Sequence, residues 1–147
     1  MCCLGACAFV VCVLSGCPEA NDKPSPVTGL KVSLPKGWVA QEAGPNTLLA
    51  GPPGHGVLRL EKQSGGALPT VAAVNAILSD QKVIIIKKES TNNFLGYQYS
   101  VASAAGETQT AMLGFRHAGS SVFRCSSTTA ATTVEMDQAF EACRTME

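Results

Sequence analysis

VIIIKKESTNNFLGYQYSVASAAGETQTAMLGFRHAGSSVFRCSS, Val83 to Ser127, is the stretch from which the architecture is read. Val83 to Ile86 is β-branched throughout and begins a strand apolar on both faces. Such a run predicts cover on both sides of a sheet. Lys87-Lys88 reads as the wet end of that strand or as an edge guard. Phe94 to Ser103 then alternates, with Leu95, Tyr97, Tyr99 and Val101 on one face. Ala104 to Glu107 is a turn and Thr108 to His117 the next strand. Ala118-Gly119 turns the chain into Ser121 to Ser127. Consecutive strands joined by short turns are antiparallel neighbours.

Outward from this block, upstream, Leu30 to Leu34 alternates apolar and polar residues and predicts a half-buried strand. Pro35 to Gly37 turns the chain into Trp38-Val39, and Trp38 is read as a core anchor. Thr47 to Ala50 and Val57 to Lys62 read as short strands around the loop GPPGHG, Gly51 to Gly56. Thr70 to Ser79 predicts a helix, with Val71, Val74, Ile77 and Leu78 at helical spacing and Pro69 at its start. Downstream, Thr132 and Glu135 have capping-box spacing. Met136, Ala139, Phe140, Cys143 and Met146 form one helical stripe. Strands, helix, hairpins, helix predict an α+β domain over residues 29–147, with helices covering a central antiparallel sheet.

The N-terminus is of another kind. Residues 1–16, MCCLGACAFVVCVLSG, hold 13 apolar side chains and no charge. A bilayer-spanning helix takes about 20 apolar residues, so this length suits a signal peptide. No Lys or Arg precedes the run. Either the true start lies upstream or the signal is a weak one. Leu14-Ser15-Gly16-Cys17 resembles the lipobox of bacterial lipoproteins. The resemblance implies cleavage between Gly16 and Cys17 and a diacylglyceryl thioether on Cys17, with palmitate-type acyl chains. A thiol is the side chain suited to that transfer. Residues 17–28 are then the lipidated cysteine and a proline-spaced tether, PEANDKPSPVT from Pro18 to Thr28, long enough to hold a domain roughly 30 Å from a membrane. The implied place is the cell envelope, lipid-anchored and facing the periplasm. Pro18 is not the acidic retention signal of some lipoproteins, which favours the outer membrane.

A second resemblance lies in VSLPKGW, Val32 to Trp38. It is similar to the opening of domains with the fold of PsbP, the extrinsic photosystem II subunit. That family implies an α/β/α sandwich. Its members are mostly binding or assembly proteins without a shared catalytic site, so no site residues carry over.

Of seven cysteines, five fall within the first 17 residues. Cys125 and Cys143 remain in the folded part and predict a disulfide, since an exported domain holds its cysteines paired. The closed loop corresponds to about 3 kcal/mol. The rival is a Cys–His nucleophile. With His117 opposite Ser120, Cys125 opposes Met112, which puts Cys125 roughly 16 Å from His117, beyond hydrogen-bond reach.

Other chemistry is thin. GPPGHG lacks the lysine and hydroxyl residue of a P-loop. His55 and His117 each stand alone, so no metal site and no cofactor are expected. Eleven basic and eleven acidic side chains give a net charge of zero, with no electrostatic footprint for nucleic acid. The expected function is a membrane-anchored accessory or assembly protein that binds an unidentified protein or small molecule without catalysis. The alternatives are an extracytoplasmic enzyme whose site assembles only in three dimensions, and a purely structural envelope lipoprotein.

Overall fold

A computed structural model describes residues 29–128 and 131–147. The leader, Gly16, Cys17 and the tether lie outside the described residues. The elements are β1 (Val39–Gly44), β2 (Thr47–Gly51), β3 (Leu58–Lys62), α1 (Val71–Ser79), β4 (Ile84–Ser90), β5 (Phe94–Ala102), β6 (Thr108–Ala118), β7 (Ser121–Ser127) and α2 (Thr133–Thr145). The strands form one antiparallel sheet in the order β1-β2-β3-β7-β6-β5-β4. The α+β class expected from sequence is therefore present.

Strand alternation divides the core in two. On one face, Phe94, Met112, Phe123 and Cys125 meet the α2 stripe of Met136, Ala139, Phe140, Cys143 and Met146, all buried. Leu30, Val32 and Trp38 close the same cluster. On the other face, Leu95, Tyr97, Leu113, Phe115 and Val122 pack with Val74 and Leu78 of α1. Both helices begin where the caps place them. The Thr70 side chain accepts from the Ala73 N–H, and Thr132 and Glu135 form the full capping box.

Three expectations change. Leu30 to Leu34 is not a strand. Leu30 and Val32 are buried as alternation requires, and Lys31 exchanges backbone bonds with Glu147 (2.8 and 2.9 Å), but no strand forms here. The hairpin after His117 has the expected two-residue turn but is shifted by one residue along the chain. Ala118 pairs with Ser121, so His117 faces Val122 and Cys125 faces Gly114, not Met112. Gly119 makes this possible with a φ of +58°. Finally, the isoleucine run is not covered on both faces: β4 is an edge strand bonded to β5 alone.

Gly96 is a glycine for a packing reason. A Cβ there would overlap the Phe94 ring and come within 2.9 Å of Phe140. Those two rings meet edge to face, with centroids 5.4 Å apart at 84°.

The cap yields a pH test. The Glu135 carboxylate accepts from the Thr132 N–H and hydroxyl, each at 2.8 Å. These bonds hold its pKa below the usual carboxylate value. A depressed folded-state pKa contributes stability above the unfolded value, lost as pH falls through the folded one. Thr132→Ala is expected to cost about 1 kcal/mol at neutral pH. In urea melts the deficit narrows as pH falls below the usual carboxylate range and the Glu135 carboxylate takes up its proton. A deficit that stays constant would remove the carboxylate from the cap.

Candidate functional site

The cysteines come first. Cys125 on β7 and Cys143 on α2 are joined by a disulfide, with Cα atoms 6.1 Å apart and a sequence separation of 18. Both are fully buried. Glycine at position 114 leaves room for the bridge, since a Cβ there would stand 3.0 Å from the Cys143 Sγ. The bridge also settles the Cys–His pairing. The Cys125 sulfur is bonded, and Cys125 and His117 point to opposite faces of the sheet, because Cys125 opposes Gly114, three residues from His117.

The two histidines are not brought together with further ligands. His55 lies in a turn fixed by its own N–H donating to the Pro52 carbonyl (2.9 Å) and by a positive φ at Gly54. A Cβ at Gly51 would overlap the His55 carbonyl oxygen and stand 2.8 Å from the Val57 nitrogen. Gly51 is thus explained by the close approach of the chain just before β3, and Gly54 by its positive φ. His117 sits near the end of β6, its backbone N–H bonded to the Asn93 carbonyl. Among the described residues no three His, Cys, Asp or Glu side chains cluster in a metal-binding arrangement. No helix among them is long and apolar enough to cross a membrane.

The carboxylates of α2 are each engaged. Asp137 accepts from the Gln98 amide (2.8 Å), which satisfies the buried polar side chain of β5. Glu141 accepts from Arg144 at 2.6 and 2.9 Å, and its charge in turn raises the Arg144 pKa. Tyr97 is core, as expected from sequence, and its hydroxyl donates to the Asn75 side-chain carbonyl at 3.0 Å. Tyr99 is half-buried. Burial pushes its hydroxyl pKa up, partly offset by Arg124.

Two further surfaces stand out among the described residues. A polar basin of about 380 Å³ lies beyond the last residue of β3, beside the β6–β7 turn, lined by Asn46, Lys62, Gln63, Ser64, Ser120 and Ser121. No carboxylate lines it. The second surface is the free edge of β4. Ile84, Ile85 and Ile86 are 71%, 43% and 57% exposed. A register shift between Ile85 and Lys87 leaves Ile86 as the extra residue of a bulge. Beside it, a groove of about 280 Å³ separates β4 from α1, lined by Asn75, Leu78, Ser79, Val83 and Ile85. The lysines that follow lie over the edges of the two cores. Lys87 Nζ stands 4.3 Å from the Phe140 centroid, Lys88 Nζ 5.6 Å from that of Tyr97. The sequence reading missed this edge as a site, although Lys87-Lys88 beside an apolar run was the available signal.

No family model matches the chain, and no curated protein matches it. Among solved structures, a crystal structure of a protein from Bacteroides thetaiotaomicron VPI-5482 is similar, at 18% identity and a TM-score of 0.49. The match covers 85% of this chain and 47% of that one, so this chain spans about half the length of its structural neighbour.

Proposed function

We propose that this chain is a lipid-anchored, extracytoplasmic accessory protein that binds a partner and performs no chemistry of its own. The observation that carries the reading is the Cys125–Cys143 bridge. It accounts for both cysteines of the folded part and fits an oxidising compartment. Cleavage after Gly16 would then leave Cys17 as the one cysteine outside the bridge, at the position where the lipobox resemblance puts the lipid. Two or more acyl chains, at about 0.8 kcal/mol per buried CH₂, make a stable anchor.

The finer fold reading is a PsbP-like α/β/α sandwich. Support comes from α2 on one face and α1 on the other, over opposite sides of β5, β6 and β7. The short α1 is the weaker cover. The thinly covered α1 face and the free β4 edge supply area for a protein or small-molecule partner, while Asp137 and Glu141, which line a groove of about 350 Å³ beside α2, are each held by a neighbouring side chain.

Labelled palmitate tests the anchor. The wild-type chain is expected to take up label and to sediment with membranes. Cys17→Ala is expected to lose the label entirely and to enter the soluble fraction. A wild-type chain that stays unlabelled in cells that label other lipoproteins would end this reading.

A further inference from the structure

The β4 edge is unusual among the elements of this fold. An exposed sheet edge presents a row of unpaired N–H and C=O groups, and proteins ordinarily blunt it with charge, bulges or cover. The opposite edge, β1, is guarded in that way. It carries Glu42, Gln41, a register shift between Glu42 and Gly44, and only Val39 as a large exposed apolar side chain. Along β4, three successive isoleucines stand in solvent instead. Ile84 lies on the α2 side, opposite Ser100, and Ile85 on the α1 side, opposite Tyr99. Apolar side chains therefore flank the open backbone on both faces, and the α1–β4 groove continues one of them. The charge along the strand is ordered too: isoleucines at its start, then Lys87-Lys88 before Glu89, with Lys87 Nζ also 4.0 Å from the Glu141 carboxylate and still 43% exposed.

We infer that β4 receives an extended segment of another polypeptide as an eighth, antiparallel strand. That segment is apolar where it faces Ile84 to Ile86 and acidic where it faces Lys87 and Lys88. Backbone bonds supply the pairing, and the alternate side chains set the choice of partner. A lipid surface fits less well, because hydrocarbon leaves the open backbone groups unsatisfied. A second copy of the chain also fits less well. In its full-length register Ile84 faces Ser90 and Lys87 faces Lys87. One residue's slide sets Lys87 against Lys88, and the opposite slide sets both lysines against isoleucines. Like charges directly opposite are destabilising. An acidic, apolar segment satisfies both halves of the strand in one register.

The inference rests on the binding reading proposed above and is independent of the lipid. The probe is a short synthetic peptide with two glutamates in its N-terminal half and valine-isoleucine-valine in its C-terminal half. It is titrated against the folded protein by fluorescence anisotropy, with amide hydrogen exchange followed along β4. Binding is expected, with new protection confined to β4. Lysines in place of the glutamates should weaken binding about tenfold. N-methylation of alternate peptide amides should abolish it. Ile84→Lys with Ile86→Lys changes only exposed positions, so the melting temperature should hold while binding falls about tenfold.

No binding, or binding that survives N-methylation, overturns the proposal. So does a concentration-dependent dimer crosslinked through β4. Sedimentation with anionic phosphatidylglycerol vesicles that is lost in the lysine variant overturns it as well. The two readings fail separately: a palmitate-labelled chain that ignores the peptide loses only the strand-addition site, and an unlabelled chain that binds it loses only the anchor.

Discussion

Phe140→Ala is expected to lower the free energy of unfolding by about 3–5 kcal/mol, the range for an aromatic ring removed from a sealed core. Phe140 is fully buried at the centre of α2. Its ring takes the edge-to-face contact of Phe94, lies under Lys87 Nζ at 4.3 Å, and sits close enough to Gly96 to forbid a side chain there. Truncation leaves a cavity bounded by the sheet backbone on one side and the helix on the other, neither of which can close on it. Both the apolar transfer and the lost contacts then count. Denaturant melts with an unchanged slope give the number. A loss below about 1 kcal/mol would mean that α2 does not seat on β5 through this ring.

The second large effect belongs to the disulfide. With its cysteines 18 positions apart in sequence, the bridge is expected to contribute about 3 kcal/mol by restricting the unfolded chain, roughly 10 °C in melting temperature. Cys125→Ala and Cys143→Ala should each lose about that much, and the double variant little more than either. That non-additivity separates a bond from two packed thiols, since either substitution alone already opens the loop. Two independent losses that sum would leave the cysteines as ordinary core residues. The effect is expected only in oxidised protein. Reduced wild type should melt with the single variants.

What the sequence made legible is what depends on local chemistry. Thr132 and Glu135 fixed the start of α2 because a capping box needs only four successive residues. Pro69 marked the start of α1, although Thr70, expected as its first residue, is its N-cap. The stripe from Met136 to Met146 is buried throughout, because one helix face can meet only one sheet face. The cystine followed from compartment and parity rather than from geometry.

Two of the three departures concern partners distant in the chain, and the third a local turn. Leu30 to Leu34 alternates like a strand, but it meets the chain's far end, where Lys31 pairs with Glu147, and Pro35 ends the run before a ladder can grow. The β6–β7 register depended on which residues flank the left-handed Gly119, a two-residue difference that composition does not resolve. The β-branched run Ile84 to Ile86 has the same local pattern at an edge as at a centre. Only the strand order, with α1 leading from β3 across to the far side of the sheet, puts it outside. The candidate binding edge was therefore visible as residues and invisible as a place.

Intact mass spectrometry of the protein extracted from membranes in detergent, before and after reduction, tests the central claim most directly. The account predicts a polypeptide that begins at Cys17, heavier than its sequence by a diacylglyceryl group with or without a further acyl chain. Reduction should then add two hydrogens. A full-length chain that retains its first 16 residues, or one that begins at Cys17 with an unmodified thiol, would contradict it.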